Sequence, residues 1–427
     1  MKIYYEDRWL AIRDKVNGMG ADGNKVIEAL QDYYSIFKDS ALVWLAELFD
    51  PDIGGFYYSE SARDNEFINF NGVDYPLLPD IESTSQATNF LYNNEVYTDW
   101  MDFPLWMRKK MEKFICERQD PETGFFYHPQ WPKALTDSKP SRRGRDAWWA
   151  FTMAQKYQFN LPYPTANERL AKNTDENNPS LPDYLLSEEK FLKYLKDFDW
   201  ENKAYWSGNQ LASQTHMIKS AGLAKTAIEF MNSIQNQNNG CWGKYESGFE
   251  AINGFLKISA MYEGLGFLVP NADKAIKVAF ECTSIPFAGH ASTCCQYNAW
   301  SSVNNILNSM RRLGGTEGNR LANEAITYHL NNCIDSIIST KEKALRFQKP
   351  AGCFSMEFNE SSGTSQGMPV AIFHTNEGDI NANGLCSSAT ARQLFASIGL
   401  DENFIPIFSP AKTEIFGSAL RLPKEMQ

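Results

Sequence analysis

The sequence lacks the features of several protein classes. Among its 427 residues, no run of apolar side chains approaches the roughly 20 residues that a membrane-spanning helix requires. Its first residues are tyrosine-rich and charged, without the apolar stretch of a signal peptide. We therefore expect a soluble, cytoplasmic protein with no membrane span, or else a mature form from which a signal peptide has been removed.

Positive charge and closely spaced cysteines are also scarce. Lysine and arginine number 41 against 52 aspartate and glutamate residues, which gives a net charge of −11. Nucleic acids select basic surfaces, so no nucleic-acid partner is predicted. The eight cysteines include no Cys-x-x-Cys spacing, which argues against a disulfide framework and a zinc site. Cys294 and Cys295 near His290 form the one cluster, which we interpret as buried thiols, and no metal or cofactor is predicted.

Aromatic residues, in contrast, are abundant. The chain contains 11 Trp, 19 Tyr and 28 Phe, which together make up 14% of its residues. Most aromatic side chains fill cores, and a surplus of them lines pockets for sugars, isoprenoids or other flat and apolar ligands. The composition therefore indicates a large core and a ligand pocket.

The chain repeats one arrangement of a helix, a segment with glycine and an aromatic residue, and a second helix. Six such units, with a period of roughly 45 to 70 residues, indicate stacked helical hairpins. A closed ring buries the apolar face of every hairpin. The sequence therefore predicts an all-α fold, an (α/α)6 toroid of six helical hairpins in a single domain over residues 1–427, with a long surface loop at about 160–187. An open superhelix of hairpins is the alternative.

Apolar residues at helical spacing place the individual helices. A basic loop is predicted at 139–146, and a glycine–aromatic segment at 205–210 precedes a helix. The predicted helical ranges are 24–49 as one or two helices, 99–117, 147–154, 191–195, 211–221, 224–234, 250–262, 272–280, 291–310, 323–339 and 388–398.

One loop leads into a helix that begins with acidic residues. Gly54 and Gly55 form a turn, Pro79 fixes the approach, and Asp80 and Glu82 open the helix. Carboxylates in a first helical turn interact with unpaired N–H groups and the helix dipole, so capping alone accounts for them. In a toroid, however, the ends of the inner helices crowd around one cavity, which makes a catalytic role the alternative.

Three segments of the chain resemble the terpenoid cyclase and protein prenyltransferase superfamily of α/α toroids: GGF at 54–56, PDIEST at 79–84 and QNQNNGCW at 235–242. The last is similar to the QW motif of that superfamily. The first two are similar to the Gly-Gly-Trp loop and acidic helix start of class II terpene cyclases. The resemblance implies that Glu82 is the acid that protonates an alkene and that Asp80 is its partner, with Ser83 in place of the last aspartate. Glu82 also replaces the zinc-binding cysteine of the prenyltransferases.

The resemblance thus implies an enzyme that starts the cyclisation of an isoprenoid with an acid. Such a reaction needs a neutral carboxylic acid in a dry cavity whose ring faces stabilise carbocations. Asp80 beside Glu82 could keep one carboxyl group neutral, because two close carboxylates do not both ionise readily. The residues expected to face the cavity are Trp148, Trp149, Trp206 and Trp242.

Carbohydrate chemistry is the second hypothesis. Toroids of this shape also serve glycoside hydrolases, whose pockets place two carboxylates on either side of a sugar. Closing the ring would make Glu82 and Asp379, from the first and last units, the two neighbours that such a hydrolase needs. Many Asn and Gln residues near the loops favour a sugar or oligosaccharide as the substrate. A toroid that only binds a ligand is the non-catalytic alternative.

A polysaccharide lyase would draw on other residues. Its acid–base group would be Tyr205, His216 or His374, and Arg145 would neutralise the carboxylate of a uronic acid. The sequence leaves the isoprenoid and carbohydrate hypotheses both open.

Overall fold

The computed structural model describes residues 4–172, 182–287 and 291–426, and helices predominate in them. His290, predicted to lie near the cysteine pair, is outside the described residues. The helices of the first half are α1 Glu6–Gly18, α2 Gly23–Tyr34, α3 Ser40–Glu47, α4 Glu60–Asp64, α5 Ile81–Asn93, α6 Leu105–Cys116, α7 Lys133–Asp137, α8 Pro140–Lys156, α9 Ala166–Lys172 and α10 Glu188–Lys196. Those of the second half are α11 Ala204–Ala212, α12 Thr215–Ser220, α13 Ala224–Ser233, α14 Gly248–Leu265, α15 Ala272–Ser284, α16 Thr293–Leu313, α17 Gly315–Asn331, α18 Cys333–Leu345, α19 Ile380–Gly384, α20 Thr390–Ser397 and α21 Lys412–Ala419.

Strands are few and short. They form three separate antiparallel pairs: β1 Phe49–Asp50 with β2 Gly55–Phe56, β3 Phe67–Phe70 with β4 Val73–Pro76, and β5 Thr364–Ser365 with β6 Met368–Pro369. Gln366 and Gly367 join β5 to β6 with φ values of +53° and +81°. Two central residues with positive φ are typical of the tight turn that suits a two-residue hairpin.

Several helices begin at a side-chain cap. Each capping side chain is an aspartate or serine that accepts a hydrogen bond from the backbone N–H three residues later. The caps are Asp22, Ser59, Asp80, Ser187 and Asp379. Three of them, at α4, α5 and α19, lie in the loops that meet near the candidate site described below.

The packing of six helical segments returns to its starting point. Helix α5 packs against α8, α8 against α11, α11 against α14, and α14 against α16. Helix α16 packs against α20, and α19, which leads into α20 through Leu385–Ala389, packs against α5. The first and last units are therefore neighbours.

Apolar burial links the early and late parts of the chain. One cluster of buried apolar side chains runs from Trp9 to Phe416, and α18 packs against α2. The Tyr5 hydroxyl donates to the carbonyl of Phe408 at 3.0 Å, and the Tyr34 hydroxyl donates to that of Ile405 at 2.7 Å. In the described ranges, no helix combines the length and the apolar character that crossing a bilayer demands.

Several predicted elements differ from the structure. The basic stretch 139–146 is helical and forms the first two turns of α8, because Pro140 suits the first helical position and Arg142 pairs with Asp146 one turn later. Segment 205–210 lies inside α11 rather than in a loop. The range 323–339 is two helices that meet at Asn332. The predicted loop at 160–187 contains α9 and a turn at Asp183–Leu185.

Candidate functional site

The start of α5 is fixed by the glycine turn that precedes it. A Cβ atom on Gly54 would lie 2.4 Å from the carbonyl oxygen of Lys110, and one on Gly55 would lie 2.8 Å from the ring of Phe114. Only glycine allows this approach. The backbone N–H of Phe56 then donates to Thr84 Oγ1 at 3.0 Å, which ties the turn to the first turn of α5.

Asp80 caps this helix and is also ion-paired. Its Oδ1 accepts from the backbone N–H of Ser83 at 2.9 Å and from Arg142 Nη2 at 2.7 Å. Its Oδ2 accepts from the Ser83 hydroxyl at 2.7 Å. Asp80 is 1% exposed and every contact points back into the protein, so it positions α5 rather than facing a ligand.

Arg142 is the centre of a buried charge network. It is fully buried, and besides Asp80 it contacts Asp146 Oδ2 at 2.9 Å and lies 3.4 Å from Glu82 Oε2. His128 Nε2 lies 3.3 Å from the same Asp146 oxygen. Burial alone would lower the pKa of Arg142, but the Asp146, Asp80 and Glu82 carboxylates raise it above its usual value. Burial likewise would raise the pKa of Asp146, and Arg142 and His128 outweigh it and lower that pKa.

Glu82 links this buried network to a second arginine. Its Oε1 accepts from Arg145 on α8, and its Oε2 lies 3.4 Å from the Ser365 hydroxyl on β5. Gln86, one turn later, donates to Asn381 of α19 at 3.1 Å. The Glu82 carboxylate, 2% exposed, therefore contacts guanidinium groups from Arg142 and Arg145.

Further polar side chains come from the next helices of the packing cycle. Lys257 on α14 places its Nζ 5.4 Å from the centre of the Tyr205 ring on α11. The Cys294 thiol on α16 lies close enough to raise the pKa of the Tyr205 hydroxyl, and it acts in the same direction on Tyr297, one turn later. We call this set the inner polar cluster, with members Glu82, Arg145, Tyr205, Lys257, Cys294 and Tyr297.

The protonation of the inner polar cluster is set mainly by burial. Burial lowers the pKa of Lys257 to about 8, with Arg145 acting in the same direction and Cys294 and Glu82 opposing. Burial and then Cys294 raise the pKa of Tyr205 well above its usual value, and Arg145 partly offsets them. Burial also raises the pKa of the Cys294 thiol. At neutral pH the cluster therefore holds a protonated tyrosine and a lysine that is mostly protonated, with a pKa of about 8.

Asp379, from the last unit, lies close to the first unit. It caps α19, accepting from the backbone N–H of Ala382 at 2.7 Å and from that of Met356 at 2.8 Å. Burial raises the pKa of Asp379 to about 7, and these N–H groups and Tyr58 act in the opposite direction. Tyr58 is electrostatically coupled to both Asp379 and Glu82. The structure thus brings the two carboxylates into one neighbourhood, with Asp379 fully buried.

The β5–β6 hairpin contacts the inner polar cluster at Glu82. Ser365 contacts Glu82, and Gln366 at the tip accepts from Asn209 of α11 at 2.8 Å. Trp131 Nε1 donates to the Pro369 carbonyl at 3.1 Å and anchors the base of the hairpin. The hairpin therefore joins the last unit to α5 and α11 beside Tyr205.

The predicted tryptophans lie in different places. Trp148 is 41% exposed, and its ring is 5.1 Å from His216, whose pKa burial lowers to about 4. Trp149 packs against the core, with its buried Nε1 unpaired. Trp206, next to Tyr205, is 62% exposed. Trp242 is a core residue rather than a pocket residue, because its ring is buried and its Nε1 donates to the Met231 carbonyl at 2.9 Å.

His374 is separate from the cluster. Its side chain is 85% exposed and pairs with Glu360 at 2.7 Å. Of the predicted site residues, the structure therefore groups Glu82, Arg145 and Tyr205, keeps Asp80 and Asp379 behind them, and leaves His374 on the surface.

Sequence reasoning missed Lys257, Tyr297 and Arg142. Lys257 carries the one basic side chain of α14, whose sequence is otherwise largely apolar, and this isolation was the available signal. Arg142 was read as part of a basic loop, and only its spacing to Asp146 could have indicated a helix.

The donor set of the site is not that of a metal centre. Within the described residues, no group of three histidine, cysteine, aspartate or glutamate side chains is arranged to hold a metal ion.

Comparison of the chain with protein-family models, with curated proteins and with solved structures gave no significant match.

Proposed function

We propose that the chain is an (α/α)6 toroid whose inner polar cluster is the active site of a polysaccharide lyase acting on an acidic glycan. The closed order of packing from α5 through α8, α11, α14 and α16 to α20 supports the toroid. Five of these helices each contribute at least one residue to the inner polar cluster, as expected for side chains directed at a shared centre.

The charged and hydroxyl-bearing side chains of the inner polar cluster are the reason for proposing a glycan as the substrate. An isoprenoid pocket requires apolar and aromatic walls, whereas Arg145, Lys257 and Tyr205 offer cations and a hydroxyl group. The exposed rings of Trp148 and Trp206 lie on the same two helices as Arg145 and Tyr205 and provide stacking faces for sugars.

The ion pairs of Glu82 also favour the glycan hypothesis over the isoprenoid cyclase. An acid that protonates an alkene must carry its proton before the reaction. Each oxygen of the Glu82 carboxylate contacts a guanidinium group, Oε1 that of Arg145 and Oε2 that of Arg142, so both oxygens are engaged by cations. Glu82 therefore suits a role in holding Arg145 in place.

In the proposed reaction a uronic acid undergoes β-elimination. Arg145 neutralises the substrate carboxylate, which makes the neighbouring C5 proton removable. The electrons of the C5–H bond form a C4=C5 double bond, and the bond from C4 to the glycosidic oxygen breaks. Tyr205, which stays protonated at neutral pH because its pKa is raised, donates its proton to that oxygen.

A substrate panel tests the proposal. The purified protein is incubated with polygalacturonate, alginate, hyaluronan, a neutral glucan and an isoprenoid diphosphate. A lyase generates an unsaturated uronyl end, which absorbs ultraviolet light, from at least one acidic glycan. New reducing ends without that absorbance would show hydrolysis, and a cyclised isoprenoid would show the cyclase; either result overturns the proposal.

A further inference from the structure

β-Elimination requires a group that accepts the C5 proton. Both oxygens of the Glu82 carboxylate already contact guanidinium groups, those of Arg142 and Arg145. Tyr205 is protonated at neutral pH and serves as the donor to the leaving oxygen. Arg145 remains charged. The remaining basic side chain of the inner polar cluster is Lys257.

We propose that Lys257 is the general base that removes the C5 proton. This proposal rests on the proposed lyase function. Lys257 comes from α14, and its Nζ lies beside the Tyr205 ring. Within the part of the chain that the structure describes, no carboxylate pairs with it and no group accepts a hydrogen bond from it. Its nitrogen therefore has no anionic partner among the described residues and lies over the face of the Tyr205 ring.

The fold makes room for the stem of this lysine. A Cβ atom on Gly208 of α11 would lie 3.0 Å from Lys257 Cβ and 3.0 Å from a side-chain carbon of Ile258. The absence of a side chain at Gly208 lets α11 and α14 approach closely, so that Lys257 and Tyr205 share one face of the interface.

Burial favours the neutral form of Lys257, with Arg145 acting in the same direction and Cys294 and Glu82 in the opposite one. Helix α11 presents Tyr205 and α16 presents Cys294, while Arg145 and Glu82 reach it from α8 and α5. Helices α12 and α15 also pack on α14, and neither contributes a charge that shifts this lysine. Its pKa of about 8 gives a substantial neutral fraction in mildly alkaline solution, and a base works best with a pKa near the working pH.

The proposed step balances without a further reactant. The Lys257 lone pair takes the C5 proton, the C5–H electrons form the C4=C5 bond, and the glycosidic oxygen leaves C4 with the proton of Tyr205. The products are an unsaturated uronyl end and a new hydroxyl end. The ammonium group of Lys257 then returns a proton to Tyr205, directly or through water, which restores both residues.

Substitutions of Lys257 distinguish a role as general base from a role as a positive charge. Lys257→Arg keeps the charge but stays protonated, and Lys257→Met keeps the length without the charge. Both should lower kcat on the degraded glycan about 10²- to 10⁴-fold. Lys343→Met is the matched control, because burial also lowers the pKa of Lys343 to about 8 and it lies on α18, outside the inner polar cluster. This control should keep wild-type kcat.

Two further measurements would give the expected result only if Lys257 is the base and not if its role is structural. The wild-type kcat/KM should rise with pH through about 8 and then level off, as neutral lysine accumulates. Added ethylamine should restore activity to Lys257→Ala in proportion to the free-amine concentration. If Lys257→Arg does not fold, this rescue by ethylamine still tests whether Lys257 is the general base.

The possible failures are distinct. A Lys257→Arg variant that keeps more than about a tenth of wild-type kcat would show that Lys257 acts through its charge and would overturn its role as general base. A kcat/KM that does not change with pH around 8 would overturn that role as well. The proposed lyase function would stand in both cases. A wild-type protein without eliminase activity on every acidic glycan would overturn the proposed function, and with it the role of Lys257.

Discussion

Arg142 shows how one buried side chain can organise several others. Its guanidinium contacts Asp80, Glu82 and Asp146, and it lies 4.7 Å from the centre of the Trp131 ring. The three carboxylates come from the start of α5 and from α8, so the arginine joins the helix that carries Glu82 to the helix that carries Arg145. The position of Glu82 therefore depends on a residue that is fully buried.

Loss of this arginine should destabilise the protein strongly. Arg142→Met removes the cation from three buried carboxylates, and leaving buried charges without a partner costs about 3–5 kcal/mol. Urea denaturation followed by circular dichroism would measure the change in the free energy of unfolding. Arg312→Met is the control, because its partner Glu263 is paired at the surface and such pairs contribute little. Equal stabilities of the two variants would contradict the central role of Arg142.

The hydroxyl group of Tyr205 should matter for turnover and not for folding. Tyr205→Phe removes the proposed proton donor while keeping the ring beside Lys257, so kcat should fall about 10²- to 10⁴-fold. Steady-state kinetics on an acidic glycan would measure the loss. Tyr245→Phe changes an exposed tyrosine outside the inner polar cluster and should leave kcat unchanged. A fully active Tyr205→Phe would remove the tyrosine from the mechanism.

Residue types gave only part of the candidate site. Glu82, Arg145 and Tyr205 were predictable as functional candidates because their types suit acid–base or anion chemistry. Trp242 was predicted to face the cavity because it is aromatic, but its indole is buried in the core and donates to a backbone carbonyl. A sequence alone does not show which side chains of a helix point towards a site and which point into the core. This orientation is what distinguishes Lys257 from Trp242.

At the scale of helices, the α11–α14 contact depends on a missing side chain. Helix α11 contains Gly208, which would ordinarily weaken it by about 1 kcal/mol relative to alanine. The close approach of Lys257 and Ile258 explains why glycine is used there.

Alanine at Gly208 should therefore destabilise the protein despite its helix propensity. Crowding a packed helix contact costs about 1–3 kcal/mol, which exceeds the gain in propensity. Gly417→Ala in α21 is the matched control, since a Cβ atom there meets no atom within 4 Å and should stabilise the helix. Urea denaturation would compare the two. A Gly208→Ala protein as stable as Gly417→Ala would show that the contact can relax.

The cap of α19 should make stability depend on pH. The pKa of Asp379 is raised to about 7 in the folded protein, above its usual value, so the folded state binds more protons than the unfolded state between pH 4 and 7. The contribution of Asp379 to stability is therefore present at low pH and is lost as pH rises towards 7, by up to about 1.4 kcal/mol per pH unit.

Substitution of Asp379 tests this dependence. Asp379→Asn should flatten the pH dependence of the free energy of unfolding between pH 5 and 7, measured by urea denaturation at several pH values. Asp22→Asn, at the solvent-exposed cap of α2, should retain the wild-type slope. An unchanged slope for Asp379→Asn would mean that its carboxyl group titrates as it does in water.

Long periodic helices could be predicted from the sequence, and helices with polar starts could not. The stretch 250–262 lies within α14 and 291–310 largely within α16, as their apolar periodicity indicated. The start of α8 is rich in arginine and contains proline and glycine, a composition typical of loops. Its helix is stabilised by ion pairs with Asp80 and Asp146, and the first of these partners is 62 residues away.

At the scale of the whole molecule, the C-terminal residues hold the N-terminal helices. Tyr5, Arg8 and Tyr34 all donate hydrogen bonds to backbone carbonyls between 404 and 408. Phe395 and Phe408 add ring contacts to Tyr34 and Phe90. The first two helices thus pack against the end of the chain.

Removal of residues 404–426 should therefore loosen α1 and α2. These helices would lose hydrogen-bond acceptors and apolar partners, so hydrogen exchange measured by mass spectrometry should show faster exchange in both. A shorter deletion of 420–426 removes mainly exposed contacts, such as that of Lys424 with Asp52, and should leave α1 and α2 protected. Unchanged protection in the longer deletion would show that these helices are stable without the C-terminal segment.

The 403-residue separation between Tyr5 and Phe408 has a consequence during biosynthesis. Helices at the beginning of the chain leave the ribosome long before their partners have been translated, and their apolar faces stay uncovered in the meantime. Nascent chains stalled before residue 404 should bind holdase chaperones, and compaction should follow once residues 404–408 have left the ribosome.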